Sequence, residues 1–304
     1  MDKGKAETTA TIAGVRLTSP DRVLFPEQGA TKRDLADYFV RMAGPILHHA
    51  ANRLISLVRC PGGHDGHCFF QRHGGNGLPD RFKTMPVHQK DGKTADYLYL
   101  TDKPGLVSAA QIGVLELHIW GSRIDDIERP DRLVFDLDPS EELDFGAVKD
   151  AARHIRDALD ILGLNSFPLV TGGKGIHVVA PLVRRHEWPV VKAFAEAIAK
   201  RMAEDQPERF VAVMSKARRK GRIFIDYLRN ERGGTAIAPY SPRARKGAPV
   251  AWPVDWDDLG KVRRADQFRL AEVSADDAKG WAEYDDVRQG LNNASLEAVG
   301  VDVS

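Results

Sequence analysis

Apolar positions along the chain follow two periods, and each switch between them marks an element. Leu35, Tyr38, Phe39 and Met42 recur at helical spacing behind Thr31, which can cap, and Asp34, which suits a first turn. Pro45 kinks or restarts this helix. Short apolar runs at Leu54–Val58 and Val114–Trp120 predict strands, and the Gly/His-rich stretch 62–77 predicts loop. From residue 130 the pattern sharpens. Arg132–Asp138 reads as a strand stopped by Pro139. Asp144 caps a helix with Val148, Ala151, Ile155, Leu159 and Leu162 on one face, ended by Gly163. Phe167–Thr171 and Ile176–Ala180 read as strands joined by a Gly-Gly-Lys-Gly turn. Pro189 opens a helix carrying Val191, Phe194, Ile198 and Met202, and Ile223–Leu228 is a last strand. The order β-α-β-β-α-β predicts a split βαβ sheet with helices packed on it, within an α+β fold.

Composition narrows the classes. With 304 residues, 42% hydrophobic and 29% charged, the chain can bury a real core as one large domain or two small ones, and a mainly disordered state is excluded. Residues 1–10 read as an irregular polar start without a signal peptide, there is no fixed-period repeat, and no apolar run approaches the roughly 20 residues of a membrane span. Two cysteines are too few for a disulfide framework and favour a reducing cytosol. The net charge of +1 excludes a uniformly basic nucleic-acid binder but hides an uneven distribution. Residues 209–246 hold 11 Lys/Arg against 2 Asp/Glu, whereas residues 255–304 hold 12 Asp/Glu against 6 Lys/Arg.

The sharpest chemical signal is a pair of acids. Side chains alternate along a strand, so Asp136 and Asp138 share one face while Leu133, Phe135 and Leu137 take the other. Two carboxylates so placed repel unless a cation lies between them, and hard oxygen ligands suit Mg²⁺ or Mn²⁺. Asp226, in a second apolar strand, is the natural third ligand if the two strands are neighbours. Three acids around two ions suit in-line phosphoryl or nucleotidyl transfer. The competing reading has Asp136 and Asp138 merely ending a strand, but the apolar flanks of all three acids argue against simple solvated charges.

Other segments gain meaning beside that cluster. Thr171-Gly-Gly-Lys174-Gly-Ile-His177 could cradle phosphates through backbone N–H groups, a hydroxyl, a point charge and an imidazole, although it lacks the P-loop spacing and could be a plain hairpin turn. The basic run brackets Asp226 and includes Lys216, Arg219 and Arg243, some suited to a triphosphate and others to a nucleic-acid backbone. The cramped Cys60-x3-His64-x2-His67-Cys68 spacing, without a second C-x2-C, argues against structural zinc. Phe69 and Phe70, flanked by Arg59 and Arg72, could stack on bases or a duplex end, or be core, alternation sending one inward and one outward. His118 is either a satisfied strand histidine or a donor to a bound nucleotide.

Taken together, these residues resemble the polymerase domain of bacterial ligase D, within the archaeo-eukaryotic primase superfamily. The likeness runs from about Leu17 to Leu259 through Leu24-Phe-Pro26, Phe69-Phe-Gln-Arg-His73, Glu116-Leu-His118, Val134-Phe-Asp-Leu-Asp-Pro139, Gly172-Gly-Lys-Gly-Ile-His177, Phe224-Ile-Asp-Tyr-Leu-Arg-Asn230 and Tyr240-Ser-Pro-Arg-Ala-Arg245. The resemblance implies an RRM-like antiparallel catalytic sheet with packed helices plus a smaller N-terminal α/β module. It would place a flexible start at 1–16, a DNA-end-binding module at about 17–112, a catalytic core at about 113–259 and an acidic segment at 260–304 that packs on the domain or trails it. It implies Asp136, Asp138 and Asp226 as catalytic metal ligands, and His118, Thr171, Lys174, His177 and Arg243 as nucleotide contacts. Arg59, Phe69 and Phe70 match the region that meets a DNA end and its 5′-phosphate, and Arg219 the loop that positions primer or template. It further implies Mn²⁺ or Mg²⁺ as two ions, NTP or dNTP substrates, gapped or broken DNA with a 5′-phosphate, Ku and a DNA ligase as partners, and a bacterial cytoplasm at the nucleoid. The family usually has Ser where Thr171 stands and often Lys where Arg72 stands.

The leading expectation is therefore a metal-dependent, template-directed nucleotidyltransferase acting in non-homologous end joining. Two others are kept beside it. A nuclease or glycosyltransferase could use the same acids, and a module that only binds DNA ends would keep the basic surface without the chemistry.

Overall fold

A computed structural model describes residues 8–75 and 77–302. The chain forms two compact units that interleave in sequence. The first takes residues up to Ile119 with Ile237–Val250 and Phe268–Ala278; the second takes Trp120–Ala236, Ala251–Gln267 and the segment from Lys279 onward. The fold is α+β with antiparallel sheets, as the patterning predicts. Among the described residues no helix is long and apolar enough to cross a membrane.

In the first unit Thr31 and Asp34 close a capping box on helix Lys32–Arg41, and Leu35, Tyr38, Phe39 and Met42 are fully buried. The helix breaks at Met42 and restarts as Ala43–Ala50, with Pro45 in its first turn. Strand Leu54–Arg59 is the sheet's axis. It pairs antiparallel with Val114–Trp120 on one edge and with Thr94–Tyr99 and the short strand Phe69–Gln71 on the other. The expected irregular start is in part ordered: Thr9–Ile12 pairs with Val15–Thr18 around Ala13 and Gly14, both at positive φ, the turn chemistry of a tight hairpin. The rest of that start, residues 1–7, lies outside the described residues.

The two cysteines form one disulfide, Cys60–Cys68, with Cα atoms 4.3 Å apart. The cause is register. Arg59 pairs with Phe69 across the antiparallel ladder, so the residues just beyond them, Cys60 and Cys68, face each other across the Pro61-Gly-Gly turn. A single bond leaves the chain without a disulfide framework, and it removes both thiolates from any zinc set.

The second unit carries the expected β-α-β-β-α-β order. Its sheet runs Phe210–Val211, Ile223–Asp226, Arg132–Pro139, Ile176–Pro181, Phe167–Val170, Trp252–Pro253, all antiparallel except the first pair. Asp144 caps Phe145–Ile161 by accepting from the Ala147 N–H, and Pro189 sits in the first turn of Trp188–Asp205; both helices pack on this sheet. The Ile223 strand ends at Asp226, two residues earlier than its apolar run predicts. Asp226 Oδ1 accepts the Leu228 N–H at 2.9 Å and turns the chain into a short 3-10 turn, Leu228–Asn230. Asn230, buried, then stands in for a strand: its amide exchanges hydrogen bonds with the Val134 N–H and C=O at 2.8 and 2.7 Å. In the acidic C-terminal stretch, Trp281 stacks on Tyr284 at 4.9 Å and donates to the Pro168 carbonyl at 2.9 Å.

Candidate active site

The strand register of the second unit sets three polar residues in a row. Asp136 lies opposite Asp226 on one neighbour and opposite His177 on the other, and Asp138 is two residues along on the same face. One carboxylate oxygen from each of Asp136, Asp138 and Asp226 falls within 4.8 Å of the others. Asp136 and Asp226 are buried; Asp138 is half-buried.

The charges around the triad do not balance. Arg229 grips Asp136 Oδ2 through Nε at 3.0 Å and Nη2 at 2.9 Å and reaches Asp226 Oδ2 at 3.1 Å. His177 Nε2 lies 3.2 Å from Asp136 Oδ1. Burial alone would push Asp136 up, but His177 and Arg229 outweigh it and hold that carboxyl far below its ordinary range. Asp138 is pushed up to about 6 by burial and by the charge on Asp136. Burial and Asp136 also raise Asp226, against the pull of Arg229. The cluster is thus short of positive charge, which a divalent cation on these oxygen donors would supply. A second feature points the same way: His177, 4% exposed, keeps a buried Nδ1 with no hydrogen-bond partner among the described residues. The donor set fits a hard divalent ion, and the orphaned ring nitrogen fits an anionic group beside it.

The Gly-rich turn is built to run against this row. A Cβ on Gly175 would sit 2.3 Å from the Leu137 carbonyl oxygen, so only glycine lets the turn pass so close to the Asp136 strand, and Gly172 has φ +68°. Thr171 Oγ1 donates to the Gly175 carbonyl at 2.9 Å and accepts the Gly173 N–H at 3.3 Å, so its hydroxyl holds the turn closed. Lys174 is exposed and pairs with Glu141 at 3.3 Å. Arg219 is anchored: its guanidinium lies 3.7 Å from the ring centroid of Phe224, the residue opposite Asp138, and donates to the Met214 carbonyl. Lys216 is exposed in the same basic loop.

The remaining candidates lie in the first unit. Phe69 and Phe70 are both exposed, 37% and 69%, so neither is core. Alternation does not hide either of them, since both side chains of this three-residue edge strand stay accessible. Arg59 lies 5.3 Å over Phe69 and donates to Gln71 at 2.7 Å; Arg72 is exposed. His118 meets the edge of Phe70 at 6.0 Å and turns Nε2 to Glu116 at 2.7 Å. Arg243 faces the same carboxylate at 3.0 Å. Sequence reasoning quotes Arg229 and Asn230 only inside the Phe224–Asn230 motif and gives neither a role. The available signal was Arg229's place three residues after Asp226.

Comparison with known proteins gives the family and the fold. The sequence profile of the LigD primase-polymerase domain matches residues 31–281. The multifunctional non-homologous end joining protein LigD of Pseudomonas aeruginosa is 39% identical over 302 residues, covering 96% of this chain and 35% of that protein. The protein of the same description from Mycolicibacterium smegmatis is 33% identical over 247 residues, 81% of this chain and 32% of that one. This chain therefore spans about a third of the length of the curated relatives it matches. The solved polymerase domain from Mycobacterium tuberculosis ligase D in complex with DNA superposes with a TM-score of 0.81 at 31% identity, covering 88% of this chain and 96% of that one.

Proposed function

The chain belongs to the LigD primase-polymerase family, and from that premise we propose that it is a metal-dependent nucleotidyltransferase, extending a primer strand on a template at gaps and ends of broken DNA during non-homologous end joining. The observation that carries this reading is the under-neutralised triad of Asp136, Asp138 and Asp226 on one sheet face. A module that only binds DNA would have no use for repelling carboxylates near phosphates.

The triad would hold Mn²⁺ or Mg²⁺, two ions in the working enzyme, which when bound supply Lewis-acid activation of a primer 3′-hydroxyl and charge offset for a triphosphate. The other residues bind and orient. Arg229 keeps Asp136 and Asp226 aimed at the site. Thr171 and Gly175 hold the turn that presents Lys174 and His177. His177 turns Nδ1 to a phosphate oxygen while Nε2 stays on Asp136. Lys174 and Arg243 offset charge gathering on the leaving pyrophosphate, and His118 contacts the nucleotide. On the first unit Phe69 and Phe70 stack against a DNA end, with Arg59 and Arg72 beside them for its 5′-phosphate; Lys216 and Arg219 serve the primer or template strand. Ku and a DNA ligase are the partners this role calls for, at the nucleoid in the bacterial cytoplasm.

The test is primer extension on a gapped duplex with a 5′-phosphate, Mn²⁺, and ribo- and deoxynucleotides compared. Wild type lengthens the primer. Asp136→Ala or Asp226→Ala should lower addition by at least about 10²-fold, the scale of losing one group from a preorganised electrostatic site, while DNA-end binding persists. Primer shortening would indicate a nuclease, and wild-type rates in either variant would sink the assignment.

A further inference from the structure

One buried carboxylate outside the triad has no role in the mechanism above. Glu116 is 7% exposed, on the first unit's sheet. Its Oε2 faces His118 Nε2 at 2.7 Å, and its Oε1 faces Arg243 Nε and accepts the Ala244 N–H, both at 3.0 Å. We propose that Glu116 is a positioning residue that fixes His118 and Arg243 together for nucleotide binding; this rests on the reading of those two residues as nucleotide contacts.

The geometry is specific at each point. Glu116 and His118 are two apart on strand Val114–Trp120, so both side chains stand on one face. Arg243 arrives from 127 residues beyond Glu116, and the return is pinned to the same strand between them. The Ala238 N–H donates to the Leu117 carbonyl at 2.8 Å, and the Leu117 N–H donates to Ser241 Oγ at 2.8 Å. The segment thus delivers Arg243 and the Ala244 N–H to the one carboxylate that His118 also uses. Because the carboxylate accepts, His118 carries its proton on Nε2, which fixes both ring orientation and tautomer. The same ring meets the exposed Phe70 at 6.0 Å in a T-shaped contact, so fixing its orientation also bears on a residue of the stacking platform.

An acid is an improbable neighbour for a polyanionic substrate unless it acts through the cations it holds. Burial pushes Glu116 up, yet His118, Arg243 and the Ala244 amide hold it down at about 2, so it stays charged throughout the working range. Stability alone does not call for it, since a buried ion pair is often replaceable by apolar residues without loss. Orientation of two donors does call for it, as outer carboxylates orient histidines in metal sites.

Glu116→Gln keeps the shape and removes the charge. In the full chain, the KM for nucleoside triphosphate should rise about tenfold, the effect typical of losing an orienting partner, with kcat changed less than about threefold. Glu116→Asp, which keeps the charge, should restore part of that loss. In Glu116→Gln, NMR titration should move His118 to lower pH, because a carboxylate 2.7 Å from its Nε2 has been neutralised. If Glu116→Gln does not fold, ¹⁵N spectra of wild type still decide: Nε2–H on His118 is expected, and an Nδ1–H ring overturns the inference. Unchanged KM and unchanged His118 titration in a folded Glu116→Gln also overturn it. Absence of primer extension by wild type would instead defeat the functional reading, leaving the ring spectra to judge Glu116.

Discussion

Glu116 and Asp138 are both strand carboxylates drawn out of water, yet their surroundings move them in opposite directions. Glu116 has an arginine, a histidine and a backbone amide for one charge and is held at about 2. Asp138 shares one guanidinium and one imidazole with two other acids and is pushed to about 6. The difference teaches what each cluster is for. An acid with surplus donors is complete and can only hold its neighbours in place. Three acids short of positive charge are incomplete and call for a cation from outside.

The largest effect should come from breaking the complete cluster. Glu116→Ala removes the carboxylate that Arg243 and His118 both face and should cost about 3–5 kcal/mol, the scale for removing one partner of a buried ion pair. Asp138→Asn relieves repulsion and should leave chelator-treated protein as stable as wild type or more so. Urea unfolding of both variants checks this, and destabilisation of similar size in the two would erase the contrast.

A smaller loss is expected at the turn beside the triad. Gly175→Ala drives a methyl group toward the Leu137 carbonyl and should cost about 1–3 kcal/mol, as overpacking does. Primer extension should fall with it, because the displaced turn carries Lys174 and His177. Activity unchanged at lower stability would detach the turn from the site.

The mildest probe is pH, in metal-free protein. Glu116 is lowered from 4.5 to about 2, so its contribution is fully present above pH 4.5 and is lost as pH falls toward 2. Asp138 is raised from 3.8 to about 6, so the folded state holds that proton more tightly; its contribution is present below 3.8 and lost as pH rises through 6. Melting curves between pH 3 and 7 should therefore change in opposite senses when Asp138→Asn and Glu116→Gln are each compared with wild type. Parallel changes would show that the two environments are alike.

How much of this could be read in the sequence follows from the range of each interaction. The helices were legible because caps and apolar faces are local: Thr31 with Asp34, Asp144, Pro189. Asp136 and Asp138 were legible because strand alternation alone fixes their shared face, and Asp226 because its apolar flanks announce a buried strand. What escaped depends on register or on distant returns of the chain. Arg229 is one of eleven basic residues in its stretch, and only the turn made by Asp226 aims it back at the acids. The Cys60–Cys68 bond follows from pairing Arg59 with Phe69. The role of Glu116 needs residues 237–250 to come back onto its strand, which no local pattern signals. The exposure of both Phe69 and Phe70 depends on which distant segments pack near that short strand, which no local pattern signals.

The central claim, that the under-neutralised triad takes a divalent ion, is tested most directly by calorimetric titration of Mn²⁺ into chelator-stripped protein. Saturable binding is predicted for wild type and for Glu116→Gln, and its loss is predicted for a folded Asp136→Asn. Undiminished binding in Asp136→Asn, or none in wild type, would contradict the account.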